Sequence, residues 1–488
     1  VVAVPAEVRP DLAERYRQVR PFDEAEVALV RALSRRPDRL TRRHEVTLRH
    51  ALNLARLWVV RQEGRDLVIG DRLGSFRDRV RPVAERLIAA GGELDPRHLD
   101  ADAERLQTLV KWVVDDVLTT HRGTLSPSRL ESELCEKRLV VALGGGGGCG
   151  YAHLGALSLL SSLRLDVDAI FGTSIGSVLG LFLARDGTYR EAFIRMATTG
   201  LRYSDIFRLL DGPIRYGIPG ALQLHLRSGI ERFFLREDGT PMRISHLNLP
   251  FVCIVTGLKR EAVDEVRPFE RELVRQMRRG TLGRLLHVTE MVTGLARLLS
   301  RLVSTPGALH PIALGADELT RDFDAVDAVG FSSALPAVIQ YDIARRDSAM
   351  HELVGSLMQR ESIDALADGG LVANVPTQSA WESVQSGFLG TRNAFILGFD
   401  CFAPVLGRNA LFLPLQRIAA DNVRRNRAFA HTIFTLRRVP GPLAVLPRLR
   451  DVERAIRTTR DELSRKSPYL QKMLEPLPSI LHRDRAIS

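Results

Sequence analysis

Gly172-Thr173-Ser174-Ile175-Gly176 stands between two segments of opposite character. Before it, Val167-Asp168-Ala169-Ile170-Phe171 is short, apolar and followed by glycine, the pattern of a buried strand. After it, Ser177-Val178-Leu179-Gly180-Leu181-Phe182-Leu183-Ala184 has the composition of a helix. Ser174 is therefore predicted on a tight strand-to-helix turn. Gly172 and Gly176, lacking Cβ, leave room there for neighbouring chain. The helix N-terminus adds partial positive charge beside the hydroxyl. A serine so placed is equipped to be a nucleophile. By itself the pattern is a weak signal, because short glycine-serine patterns recur by chance.

Upstream, Leu139-Val140-Val141-Ala142-Leu143 suits a buried parallel strand, and Ala152 to Leu163 suits a helix. Between them Gly144 to Gly150 is interrupted only by Cys149. Backbone N–H groups of such a loop converge on an anion, so Gly145, Gly146, Gly147, Gly148, Cys149 and Gly150 are the candidate oxyanion hole. The same residues spell Gly145-x-Gly147-x-x-Gly150, a dinucleotide-binding fingerprint with Asp166 and Asp168 close to the place of its ribose-binding acid. That alternative needs the second strand to end in the acid, whereas this strand runs on from Asp168 into the Ser174 turn. No Gly-Lys-Ser/Thr follows, which excludes a nucleotide P-loop. Residues 139–163 lack Lys and Arg, but their seven glycines and His153 mark a strand, loop and helix rather than a membrane span.

A serine nucleophile needs a base. None of the twelve histidines stands in a convincing local pattern, and His153 reads as a packed or capping residue. Far downstream, Asp368 precedes Gly369 and Gly370, which allow a tight loop that exposes its carboxylate. Glycine loop, serine turn and Asp-Gly-Gly in this order are the equipment for ester hydrolysis through an acyl-enzyme.

These segments resemble those of the patatin-like phospholipases, in the wording of the bacterial and neuropathy-target-esterase-like branch. Leu143 to Leu157 is similar to that family's glycine loop and first helix, and Asp168 to Ser177 to its nucleophile elbow. Asp368 to Pro376 resembles its aspartate loop, including the Asn374-x-Pro376 tail. Ser332 to Pro336 and Leu249 to Thr256 resemble two further segments, and the likeness spans roughly residues 138–400. It implies a three-layer α/β/α sandwich with a mostly parallel sheet. It also implies a Ser174–Asp368 dyad without a catalytic histidine, phospholipid or lysophospholipid substrates, and no metal or organic cofactor. One departure stands out: the family commonly has Arg or Lys where this chain has Cys149. A guanidinium that helps fix the loop is then missing. A Cys149 thiolate near a helix N-terminus is a second candidate nucleophile, ranked behind Ser174. Intact Ser174 and Asp368 argue against a catalytically idle member of the fold that only binds lipid.

The remaining sequence flanks this core. The length of 488 residues suggests about three domains. They are expected as a helical region at 1–135, the patatin-like region at 138–400 with a basic insertion at about 260–325, and a helical C-terminal extension at 401–488. In the first, residues 25–35, 44–60, 71–90 and 101–119 are periodically apolar and charged, as amphipathic helices are. The net charge of +11 does not point to nucleic acid, because the basic residues are spread among acids and no nucleic-acid motif occurs. Within the insertion, residues 271–301 hold seven arginines against two glutamates, with apolar residues at near-helical spacing. Such a helix suits an anionic membrane surface or, alternatively, packs on the domain. Residues 417–438 are also arginine-rich. Four scattered cysteines, no zinc pattern and no basic, apolar leader suggest a reduced, cytoplasmic protein, peripheral at most to membrane.

Overall fold

The periodic N-terminal region folds largely as its apolar spacing dictates. The computed structural model describes residues 9–91, 93, 95–190, 203–209, 214–278, 285–343, 345–404 and 410–481. In it, α1 (Ala13–Arg35), α2 (Arg42–Arg56), α3 (Gly74–Ala89), α4 (Pro96–Thr120) and α5 (Pro127–Cys135) carry that region. Thr41, Asp95 and Ser126 cap α2, α4 and α5 by accepting from backbone N–H groups of the first turn. The helix expected to reach Val60 ends at Arg56. Its β-branched continuation enters a hairpin of β1 (Val59–Gln62) and β2 (Arg65–Val68), turned by Glu63 and Gly64 at positive φ. Phe22, Leu29, Leu52, Phe76, Val80 and Leu134 lie in one buried cluster. This first unit takes in residues 1–139, 381–396 and 465–488.

Inside it lies an ionic cluster. Glu26, fully buried on α1, bonds to Arg56 at 2.9 Å, to Arg49 at 3.3 Å and to Lys137. Arg56 also meets Asp23 at 3.1 Å. Burial on its own raises the Glu26 carboxyl, but Lys137, Arg56 and Arg49 outweigh it and hold the group well below the ordinary carboxylate range.

The second unit comprises residues 140–380 and 397–464, so the stretch expected as one C-terminal extension contributes to both units. Its strands, of which β3 and β11 begin within residues of the first unit, are β3 (Arg138–Leu143), β4 (Ala169–Thr173), β5 (Phe207–Leu209), β6 (Gly220–Leu224), β7 (Phe251–Leu258), β8 (Leu309–Leu314), β9 (Ala337–Gln340), β10 (Ala365–Asp368), β11 (Ala394–Asp400) and β12 (Thr432–Thr435). β5, β6 and β9 form a small sheet and the other seven a larger one. In the larger sheet β3–β4, β4–β7 and β11–β12 pair in parallel, while β8 and β10 run antiparallel to β7. With α6 (Ala152–Ser162) and α7 (Ile175–Asp186) this is the expected mostly parallel α/β sandwich.

The register of β7 positions the site. Its residues 255–258 pair with both β8 and β10, and residues 253–254 with both β8 and β4. β4 and β10 therefore share the edge opposite β8 and arrive from opposite ends. β4 finishes with Thr173 opposite Ile254, and β10 finishes with Asp368 opposite Val255. Two residues 194 positions apart in sequence, Ser174 and Asp368, are thus delivered to one point.

The basic insertion is two helices, Arg260–Arg278 and Leu285–Ser304. Val263, Val266, Leu295, Leu298, Leu299 and Leu302 are buried in a core cluster, so this part of the apolar stripe packs on the domain. Arg279 and Leu282 lie outside the described residues, and no side chain of residues 277–288 is described. Leu449–Ser464 packs on α6, where a Cβ on Gly155 would stand 2.6 Å from the Ile456 carbonyl oxygen. Among the described residues no helix is long and apolar enough to cross a membrane.

Candidate active site

Ser174 occupies the turn between β4 and α7 with φ +53° and ψ −128°, a conformation that costs about 1–3 kcal/mol for a residue with a Cβ. Neighbours hold it there. Its N–H donates to Ser332 Oγ at 2.9 Å, and that hydroxyl donates to the Ile254 carbonyl at 2.6 Å. Ser177 Oγ donates to the Ser174 carbonyl at 2.6 Å. The elbow glycines have a packing reason. A Cβ on Gly172 would meet Ser177 Cα at 2.4 Å, and one on Gly176 the Leu143 carbonyl oxygen at 2.3 Å. The anchoring by Ser332 was not readable locally, since it comes from 158 residues away.

Asp368 is buried; its carboxylate accepts the Gly370 N–H at 2.7 Å, and the Ser174 side chain lies beside it. Burial pushes its carboxyl from the ordinary 3.8 up to about 6, against the smaller opposing effects of the Gly370 N–H and the Ser174 hydroxyl. The backbone is fixed on both sides. Asp368 N–H donates to the Ala334 carbonyl at 2.9 Å, and Thr256 Oγ1 donates to the Asp368 carbonyl at 2.7 Å. The arrangement is a hydroxyl on a strained turn beside a carboxylate that is ionised at neutral pH.

The glycine loop lies beside it. Most of its N–H groups have internal duties: Gly144 donates to Phe399 O at 3.1 Å, Gly145 to Asn374 O at 3.1 Å, Gly148 to Pro442 O at 2.8 Å and Cys149 to Gly146 O at 3.2 Å. The expected cradle of six residues is thereby narrowed. Gly145, Gly148 and Cys149 have spent their donors, whereas the N–H groups of Gly146 and Gly147 have no partner among the described residues. Gly146, at φ +148°, and Gly147, at φ +55°, adopt conformations that glycine tolerates. Gly150 belongs to the 3-10 turn Gly147–Tyr151.

Two other expectations meet the geometry here. His153 is fully buried with Nε2 2.8 Å from the Gly144 carbonyl, and burial lowers it to about 4 against the pull of that bond. It is a neutral prop for the loop. Cys149 is fully buried, its Sγ donates to the Pro440 carbonyl at 3.1 Å, and burial raises the thiol to about 12. That overturns the thiolate alternative, because the reactive form is absent at neutral pH. The segment 440–445 fixes the loop: besides its contacts to Cys149 and Gly148, Tyr151 OH donates to the Val445 carbonyl at 2.8 Å. The dinucleotide alternative fails on strand polarity. Asp168 stands before the first residue of β4, and β4 is parallel to β3 with Ala169 opposite Val140. An acid there lies about five residues, roughly 16 Å, from the glycine loop.

Over residues 141–381 the chain matches the family described as patatin-like phospholipase. It is similar to lysophospholipase NTE1 of Mycosarcoma maydis, with 31% identity over 134 residues, covering 25% of this chain and 7% of that protein. The lysophospholipase NTE1 of Coccidioides immitis is 39% identical over 80 residues, 16% of this chain and 5% of that protein. The lysophospholipase nte1 of Aspergillus fumigatus is 47% identical over 58 residues, 12% and 4% of the two chains. The chain thus spans less than a tenth of the length of these relatives.

Proposed function

The chain belongs to the patatin-like phospholipase family through residues 141–381, and on that premise we propose that it is a serine lipid acyl hydrolase working through a Ser174–Asp368 dyad. The observation that supports this reading is the convergence of Ser174, just past the end of β4, and the buried Asp368 carboxylate, at the end of β10, on adjacent positions of β7. Asp368 takes the hydroxyl proton as Ser174 Oγ attacks the ester carbonyl carbon. The carbonyl oxygen gains negative charge and receives N–H bonds from Gly146 and Gly147, helped by the partial positive charge of the α7 N-terminus. Collapse of the tetrahedral intermediate expels the alcohol, which takes the proton from Asp368. Water then gives its proton to Asp368 as it attacks the acyl-enzyme, and collapse releases the fatty acid while Asp368 returns that proton to Ser174 Oγ.

The substrates are phospholipids or lysophospholipids, and the site is a cytoplasmic one working at a membrane surface. Arg271, Arg297 and Arg301 are exposed and have no carboxylate partner among the described residues. With part of the helices' apolar stripe turned inward, docking is electrostatic. Each such charge adds about 1 kcal/mol at an anionic surface. Neutralising all three should weaken sedimentation with anionic vesicles and leave zwitterionic vesicles unaffected. Equal binding by the variant removes this part of the reading. The activity itself is tested by mass spectrometry of products from defined phospholipids and lysophospholipids. The wild type should release fatty acid and Ser174→Ala should not. Equal release by both proteins contradicts the proposal.

A further inference from the structure

Asn374 has a side chain whose burial the fold leaves unexplained. The residue is 4% exposed, yet its Nδ2 has no hydrogen-bond partner and its Oδ1 accepts nothing among the described residues. Leaving a buried amide unpaired costs about 1–3 kcal/mol, so it calls for a reason. The backbone of Asn374, by contrast, is fully employed. Its N–H donates to Asn422 Oδ1 at 2.8 Å, and its carbonyl accepts the Gly145 N–H at 3.1 Å. The residue thereby ties the aspartate loop to the glycine loop and holds its own side chain between them.

That side chain borders the reacting atoms. Asn374 Oδ1 lies 3.0 Å from the point where a Gly145 Cβ would stand, and Ser174 Cβ lies 3.1 Å from the same point. On its other side, Oδ1 is 3.2 Å from the corresponding point on Gly370, next to Asp368 Oδ1 at 2.9 Å. Among the described residues the Asp368 carboxylate accepts the Gly370 N–H and no bond from Asn374. The two ends of the amide exchange places on a half-turn about the Cβ–Cγ axis, which brings N–H toward Ser174.

We propose that Asn374 is a further catalytic residue, whose side-chain amide donates to the substrate carbonyl oxygen as it becomes an oxyanion and supplements Gly146 and Gly147. This rests on the Ser174–Asp368 reading. A donor of this kind is worth about 10²–10³ in kcat. The test compares pH–rate profiles of wild type, Asn374→Ala and Asn374→Asp on a soluble short-chain ester, with fluorophosphonate labelling and thermal unfolding alongside. Both variants keep the two backbone bonds, and Asn374→Asp keeps the shape should Asn374→Ala fail to fold. Plateau kcat should fall about 10²–10³-fold in each with KM within a few-fold. The acidic limb of Asn374→Ala should stay in place, and Ser174 should still be labelled. Wild-type kcat in a folded variant overturns the proposal. So does a shifted limb in Asn374→Ala, since the residue would then act through Asp368. Absence of label on wild-type Ser174 strikes the dyad reading instead.

Discussion

Asp368 and Glu26 are both carboxylates buried in the interior of their own units, and the two units treat them in opposite ways. Glu26 is surrounded by Lys137, Arg49 and Arg56 and stays ionised well below the ordinary range. No cation among the described residues opposes the burial of Asp368; the Gly370 N–H and the Ser174 hydroxyl are too weak to do so, and burial raises it to about 6. A carboxylate whose charge is fully matched is an anchor: it has no basicity left to offer. One that is buried with few partners keeps its affinity for a proton while still ionised at neutral pH, as a general base needs. The difference lies in the neighbours rather than in the depth of burial.

The sharpest way to break this contrast is to remove the charge at each place. Asp368→Asn should cost about 10²–10⁴-fold in kcat, because the amide accepts no proton. Near-normal turnover on a soluble ester would end its assignment as base. Glu26→Gln should leave three cations without their shared partner and cost about 3–5 kcal/mol of stability, read by denaturant unfolding. Asp368→Asn should have the opposite sign of effect on stability. The folded state keeps the Asp368 proton between 3.8 and about 6 while the unfolded state releases it, so burial of this charge costs stability above that window. The cost is about 3 kcal/mol at most, and the neutral amide should recover part of it at pH 7. A midpoint lowered as much as by Glu26→Gln would show that both carboxylates are structural.

Acid separates them with a smaller effect. Activity should rise about tenfold per pH unit up to a limb near 6 and then level off, as Asp368 gives up its proton. Glu26, with its lowered value, contributes stability that is complete above the ordinary glutamate value of about 4.3 and is lost as pH falls below it. Activity should therefore decline through pH 6 while unfolding curves remain unchanged. Parallel loss of both would mean that the limb reports unfolding.

The same contrast marks what could be read from the sequence. The strand before Ser174, the elbow glycines and the Asp-Gly-Gly turn were legible because local backbone approach dictates their residue types. The free donors were not legible. Gly145 and Gly148 look equal to Gly146 and Gly147 until Asn374 and Pro442, more than 200 residues downstream, claim their N–H groups. Cys149 was ambiguous for the same reason, since its surroundings come from residues 440–445. Glu26 carried no signal, because on an amphipathic helix it resembles any exposed glutamate until Lys137 and the α2 arginines close around it. The helix ending at Arg56 instead of Val60 shows β-branched residues and a turn overriding a periodicity that continued past them.

The central claim is that Ser174 is the nucleophile and Asp368 its base. It is tested most directly by treating wild type, Ser174→Ala and Asp368→Asn with a fluorophosphonate and locating the adduct by peptide mass spectrometry. One adduct per chain on Ser174 is expected in wild type, none in Ser174→Ala, and the same adduct formed much more slowly in Asp368→Asn. Stoichiometric labelling of Ser174→Ala, or an undiminished labelling rate in Asp368→Asn, would contradict it.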